Sequence, residues 1–229
     1  MTEALKSTAT VDEVFAIPDA VTPEVRALVA KRGVPLVGVS EAVLGSLCDT
    51  TTPQGMAAVV RMGRAAVGEV PADASLVLVL ADVRDPGNAG TLVRSALAAG
   101  ASAVVFTRGS VDPWHPKTVR ATAGTLFHVS VIRAHAFEET VSHLRAAGFV
   151  LIGADATSRR ALDSVDLTRR IAFVVGNEAW GLPSDMRHLL DEDIGIPMPG
   201  PVESLNVGIA GSILLFETVR QRRLSSPPQ

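Results

Sequence analysis

The chain has 229 residues, of which 47% are apolar and 4% aromatic, with no tyrosine and a formal net charge of −3. Such a composition excludes a disordered chain, and the charge excludes a polycation that coats nucleic acid regardless of sequence. The length suits one or two domains, with Ala, Val and Leu filling most of the core. Only Lys6, Lys31 and Lys117 are lysines among 21 cationic residues. Arginine offers a planar fork for phosphates, and the bias equally fits a GC-rich genome. A single cysteine, Cys48, can form no internal disulfide and fits a reducing cytoplasm. No N-terminal stretch reads as a signal peptide. The longest apolar runs are too short to cross a bilayer, so no membrane partner is expected.

In chain order, Asp12–Ile17 reads as a strand. Thr22 caps a helix that has Pro23 at its first position, runs to Lys31 and stops at Gly33. Leu36–Val39 is a second strand, Ser40-Glu41 opens a short helix, and Met56–Arg61 follows the turn at 52–55. Residues 63–75 lack periodicity and contain Gly63, Gly68 and Pro71, which predicts a linker, with 68–75 as its centre. Beyond it, Leu76–Ala81 is an unbroken apolar run, as in a parallel strand buried on both faces. The pattern then gives a helix from Asn88 to Gly100, a strand at Ala103–Phe106, a helix over Pro116–Thr125 and a strand at Val129–Ile132. Next come a helix over Ala136–Ala147, strands at Phe149–Gly153 and Ile171–Val175, and a helix at Ser184–Leu190. A short strand at Ile194–Pro197 and a long helix over Leu205–Arg222 end the chain. Alternating β and α elements predict an α/β fold with a mostly parallel sheet.

Ligands bind such sheets beyond the carboxyl ends of the strands, and three loops there are rich in Gly, Pro, Asn and Glu. The first runs from Asp82 to Arg94 and enters a helix whose free N–H groups suit an anion. Its glycines do not make a GxGxxG fingerprint, which disfavours a nucleotide-dependent oxidoreductase. In the second, Val174–Leu182, Glu178 is a hydrogen-bond acceptor for a ligand, a partner for an arginine, or an exposed turn residue. Trp180 either stacks on a base or anchors the loop. The third, Ile196–Val207, is stiffened by three prolines and places Ser204 to cap the final helix, with Asn206 in its first turn.

Together and in this order the loops resemble the three motifs of the SpoU family, the ribose 2′-O-methyltransferase branch of the SPOUT superfamily. The matching residues are Asp85-Pro86-Gly87-Asn88-Ala89-Gly90 with Arg94, then Gly176-Asn177-Glu178-Ala179-Trp180-Gly181-Leu182. The third set is Ile196-Pro197-Met198, Gly200 and Ser204-Leu205-Asn206-Val207. Ala179 stands where the family often has glycine, and Gly208 where it often has serine. The resemblance implies a catalytic domain over 76–229 with a C-terminal trefoil knot. It implies a homodimer with each site near the interface, and S-adenosylmethionine as cofactor. Gly176, Ile196 and Leu205 match the cofactor positions, with Met198 and Gly153 as neighbours; glycine at 176 would let the adenosine approach closely. By the same resemblance Arg94 acts on the ribose hydroxyl or its phosphate, Asn88 and Glu178 position Arg94 and the ribose, and Ser204 and Asn206 close the site. Residues 1–67 resemble the later part of a ribosomal-protein-like RNA-binding domain, shortened at its start, where Arg61 and Arg64 either meet RNA phosphates or are merely solvated. The implied activity is methylation of RNA, with ribosomal RNA ahead of transfer RNA. A non-catalytic RNA-binding protein of the same fold is the alternative. The five histidines and Cys48 show no metal-ligand spacing, so no metal is expected.

Overall fold

The computed structural model describes residues 1–48, 53–63, 65–134 and 136–225. Arg64 and part of the turn at 52–55 lie outside these residues. The chain divides into two compact units, Met1–Gly63 and Arg64–Gln229.

In the first unit, helix α1 (Thr2–Lys6) precedes strand β1 (Val11–Ala16), helix α2 (Pro23–Arg32), strand β2 (Leu36–Gly38), helix α3 (Glu41–Leu47) and strand β3 (Met56–Val60). The sheet order is β2-β1-β3, with β1 parallel to β2 and antiparallel to β3. The expected caps are present: the Thr22 side chain accepts the Val25 N–H, and Gly33 ends α2 at φ +63°, a left-handed conformation that costs glycine little. The periodicity gave no sign of α1, a helix too short to stand on propensity. Arg32 supplies what it lacks by donating to the carbonyls of Ala4, Leu5 and Ser7 at 2.9–3.1 Å.

The second unit contains strands β4 (Leu76–Leu80), β5 (Ala103–Phe106), β6 (Ser130–Arg133), β7 (Val150–Ala154), β8 (Ile171–Val175) and β9 (Glu192–Ile194). All pairings are parallel, in the order β6-β5-β4-β8-β7-β9. Helices α4 (Pro86–Ala98), α5 (Pro116–Ala121), α6 (Phe137–Ala146), α7 (Ser184–Arg187) and α8 (Val207–Ser225) cover it. Strand residues alternate between two cores. Leu76, Leu78 and Leu80 meet Leu92 of α4 and Leu214 of α8 on one face. Val77 and Val79 meet Phe137, Val141 and Leu144 of α6 on the other. Every residue of β4 and β8 is buried, which explains their continuous apolar runs.

Several boundaries depart from expectation. Helix α4 starts at Pro86 rather than Asn88, because Asp85 is its cap and accepts the Asn88 N–H at 2.8 Å. The final helix starts at Val207, and Asn206, not Ser204, caps it by accepting the N–H groups of Gly208 and Ile209 at 2.9 and 3.2 Å. The last strand is Glu192–Ile194, so Ile196 and Pro197 lie beyond it. Part of the expected linker is structured: Ala65 forms a parallel bridge with Ile132, and Val67 and Val70 pack on the α6 face.

Candidate active site

From β4 the chain proceeds outward to β5 and β6, whereas β8 returns to lie beside β4. The loops leaving β4 and β8 therefore diverge, one entering α4 on the first face and the other reaching α7 on the second. Such a switch point opens a crevice at the carboxyl edge of a parallel sheet. A cavity of about 300 Å³ lies on the β8 side of this point, beyond the ends of β7, β8 and β9. Gly176, Ile196, Met198 and Leu205 line it, together with Glu178, Trp180 and Ser204. Gly153 is buried behind this wall, where an added Cβ would come within 2.7 Å of Asp193 Oδ1 and of Leu190. Its successors Ala154 and Asp155 do line the cavity.

Gly176 is glycine for a reason that lies within the chain itself. A Cβ there would fall 2.3 Å from the Gly181 backbone. Asn177 and Gly181 exchange two backbone hydrogen bonds of 2.9 Å, closing the loop on itself. The absent side chain thus first permits this tight loop, which in turn shapes the cavity wall.

Beside the cavity, the three motifs join in one hydrogen-bonded chain. Asn206 Nδ2 donates to Asn88 Oδ1 at 2.9 Å, and Asn88 Nδ2 donates to Glu178 Oε1 at 3.1 Å. Glu178 also accepts the backbone N–H groups of Asp85 at 3.0 Å and Arg84 at 3.3 Å. The anion at the entry to α4 is therefore the protein's own carboxylate, and among the described residues no arginine side chain forms a salt bridge with Glu178. Burial alone would push Glu178 upward. The N–H groups of Asp85 and Arg84 and the Asn88 amide outweigh it and hold the carboxyl below its ordinary value.

Arg94 is not part of this chain of contacts. It is exposed on α4, six residues or about 9 Å along the helix from Asn88, with no polar partner among the described residues. Arg61, in the first unit, is bound to Asp12 at 3.0 Å. Arg64 lies outside the described residues.

Three site residues escaped the sequence reading. Asp155 and Arg187 line the cavity as an ion pair between the end of β7 and α7. No motif contains either, and only the fold joins them across 32 positions. Asp82, at φ +63°, is a non-glycine residue in the left-handed region. Asn177 Nδ2 donates to its carbonyl at 2.9 Å, which ties the β4 and β8 loops together and sustains the strain. Among the described residues no helix is long and apolar enough to cross a membrane, and no group of acidic, His or Cys side chains is placed to hold a metal ion.

Comparison with known proteins agrees with this geometry. The 23S rRNA (guanosine(2553)-2′-O)-methyltransferase RlmP of Bacillus subtilis is 33% identical over 93% of this chain and 83% of its own length. A 23S rRNA (uridine(2479)-2′-O)-methyltransferase of Streptomyces viridochromogenes is 35% identical over 74% of this chain and 61% of its own. The crystal structure of the SpoU methyltransferase AviRb from Streptomyces viridochromogenes with the cofactor AdoMet superimposes with a TM-score of 0.87 at 28% identity, covering 99% of this chain and 88% of that one. The model for RNA 2′-O ribose methyltransferase substrate binding matches residues 1–65. With the SpoU rRNA Methylase model matching residues 75–216, over all three loops of the crevice, the chain belongs to the SpoU rRNA Methylase family.

Proposed function

We propose that this protein transfers the methyl group of S-adenosylmethionine to a ribose 2′-hydroxyl of ribosomal RNA. The observation that carries this reading is the Asn206–Asn88–Glu178 chain, which brings one residue from each of three distant loops to the side of the cavity. The residues present fit the cofactor. A cavity of about 300 Å³ is at the lower bound of small-molecule sites. Its apolar side chains Ile196 and Leu205 suit an adenosine, and the Asp155–Arg187 pair complements an amino-acid zwitterion. Gly176, Ile196 and Leu205 would hold the nucleoside, with Met198 beside them and Gly153 supporting the wall from behind.

When bound, the cofactor supplies a methyl group on a positively charged sulfur. The protein's part is to align the ribose oxygen with it and stabilise that oxygen as its proton leaves. Asn88, Glu178 and Asn206 present a fixed edge of donors and acceptors to the ribose, and Ser204, at the cavity mouth, closes over it. Arg94 stabilises the developing negative oxygen, while a phosphate or water takes the proton. Its distance from the cavity within one protomer is compatible with this role in a homodimer whose sites lie near the interface. Support for the dimer comes from α8, which exposes Ile209, Ile213 and Phe216 by 52, 36 and 49% along one stripe.

The C-terminal chain forms the trefoil knot of the family. In support, residues 160–162 hydrogen-bond Gly195 on both sides at 2.9 Å as a parallel bridge, which holds the two segments together before α8 returns to α4. The first unit acts in RNA binding, with Arg61 within it and Arg64 just after it as candidate contacts. The protein works in the cytoplasm, where its ribosomal substrate is made. The test is to map 2′-O-methylated nucleotides in RNA from cells with and without the gene. One ribosomal position should lose its methyl group. A loss confined to transfer RNA would replace the substrate, and an unchanged map would overturn the reading.

A further inference from the structure

Beyond β5 and β6, on the far side of β4 from the cavity, lies a second and more polar pocket of about 480 Å³. We propose that it is a phosphate subsite, with Arg108 and Arg133 as its contacts, for the RNA strand that leaves the cavity. The proposal rests on the RNA methyltransferase reading above and names where that RNA runs.

The sheet itself lays out the path. Val175, Leu80, Phe106 and Arg133 are register partners in turn across β8, β4, β5 and β6. At about 4.8 Å per strand, the row from cavity to pocket spans about 14 Å. The intervening ground is not apolar. Trp180, at the cavity wall, is 56% exposed, and the Arg84 guanidinium lies 5.2 Å over its ring. Arg84 is in turn held by Asp82 at 2.8 Å. The Gly109 backbone adjoins that same carboxylate, and an added Cβ would come within 2.7 Å of it. An aromatic face backed by arginine is a platform for a base, and exposed guanidinium groups beyond it suit phosphates.

The pocket is also built rather than loose. Ser110 Oγ donates to the Leu80 carbonyl at 2.9 Å and accepts the Val83 N–H at 3.2 Å. Thr107 Oγ1 donates to the Leu80 carbonyl at 3.1 Å, and the Val111 N–H donates to the Val83 carbonyl at 2.8 Å. These bonds pin the Arg108 loop to the β4 loop that carries Arg84. Arg108 is exposed and has no polar partner among the described residues. Arg133 has one ion pair, with Asp112 at 3.4 Å, long enough to be exchanged for a phosphate. Arg108, without a counter-charge among the described residues, and Arg133, with one exposed and long ion pair, leave the rim of this pocket open to an anion.

The experiment measures binding of in vitro transcribed 23S ribosomal RNA to the full-length protein by filter retention over a range of salt concentrations. Arg108→Ala combined with Arg133→Ala should weaken binding about tenfold or more. It should also reduce the slope of log affinity against log salt by about 1.4, at about 0.7 per single-strand phosphate contact. Calorimetric affinity for S-adenosylmethionine and the thermal midpoint should stay at wild-type values. Arg145→Ala, which removes one charge from α6 away from the pocket, should leave the slope unchanged. A wild-type affinity and slope in the double variant would overturn the subsite, as would an equal loss in Arg145→Ala. If the wild-type protein methylates RNA while the double variant binds normally, the subsite alone falls. If the wild-type protein methylates no RNA, the functional reading falls with it.

Discussion

On the β7–β8–β9 side of the crevice, the cavity wall is shaped by what side chains omit and by apolar surface: Gly176 against Gly181, then Ile196 and Leu205. On the β4 side, the ledge consists of polar side chains whose positions depend on each other, Asn206 on Asn88 and Asn88 on Glu178. The contrast teaches how two partners of one reaction are handled. In the proposed reaction a cofactor of fixed shape would meet a fixed cavity. An oxygen whose charge changes during transfer would meet oriented dipoles and, in the proposed dimer, Arg94, because only interactions that grow in the transition state accelerate it.

The most severe break falls on the wall. Gly176→Val should abolish S-adenosylmethionine binding by calorimetry. Because the collision is with backbone 2.3 Å away, it should also lower the thermal midpoint, so the change is not confined to the cofactor. A midpoint equal to wild type would show that the 176–181 loop yields more easily than its geometry implies.

Arg94→Ala separates the two halves of the site. Removing one preorganised donor typically slows chemistry by about 100- to 1,000-fold. Single-turnover transfer of labelled methyl should slow by that factor, with cofactor affinity unchanged. Arg94→Lys should rescue only in part, since a point charge lacks the planar fork. Transfer at the wild-type rate in Arg94→Ala would remove Arg94 from the mechanism.

The dimer tests whether the ledge is complete in one protomer. Ile213→Asp combined with Phe216→Asp places two charges on the exposed stripe of α8. Light scattering should report a dimer for the wild type at micromolar concentration and a monomer for this variant, and methyl transfer should fall with it. A wild-type monomer would refute the interface directly.

Smaller effects sharpen the comparison. Ile196→Ala should weaken S-adenosylmethionine binding about tenfold, as expected for roughly 1.4 kcal/mol of lost apolar contact, and leave RNA affinity alone. Glu178→Gln should lower the thermal midpoint at pH 7 by about 2–4 °C through its weakened bonds to the α4 entry. The wild-type carboxyl is held below its ordinary value, so its contribution is full above that value and vanishes as pH falls through the depressed one. The gap between wild type and Glu178→Gln should therefore close in acid, and a gap independent of pH would assign the effect to something other than charge.

The sequence by itself determined what depends on neighbours along the chain. Ala103–Phe106 and Ile171–Val175 were legible to the residue because both are fully buried runs between breakers, and the Thr22 and Ser40 caps were legible because capping is local. The three loops were recognisable by resemblance, and their residue order named most of the cavity wall. Tertiary structure decided which of those residues meet. It supplied Glu178, from a loop 90 positions away, as the anion at the entry to α4, and gave the final cap to Asn206. It also paired Asp155 with Arg187, left Arg94 apart from its expected partners, and gave α1 its stability through Arg32. The physical reason is the same in each case. Period and capping are set within one or two turns of chain, whereas a hydrogen bond between distant loops depends on strand order, which no local pattern encodes.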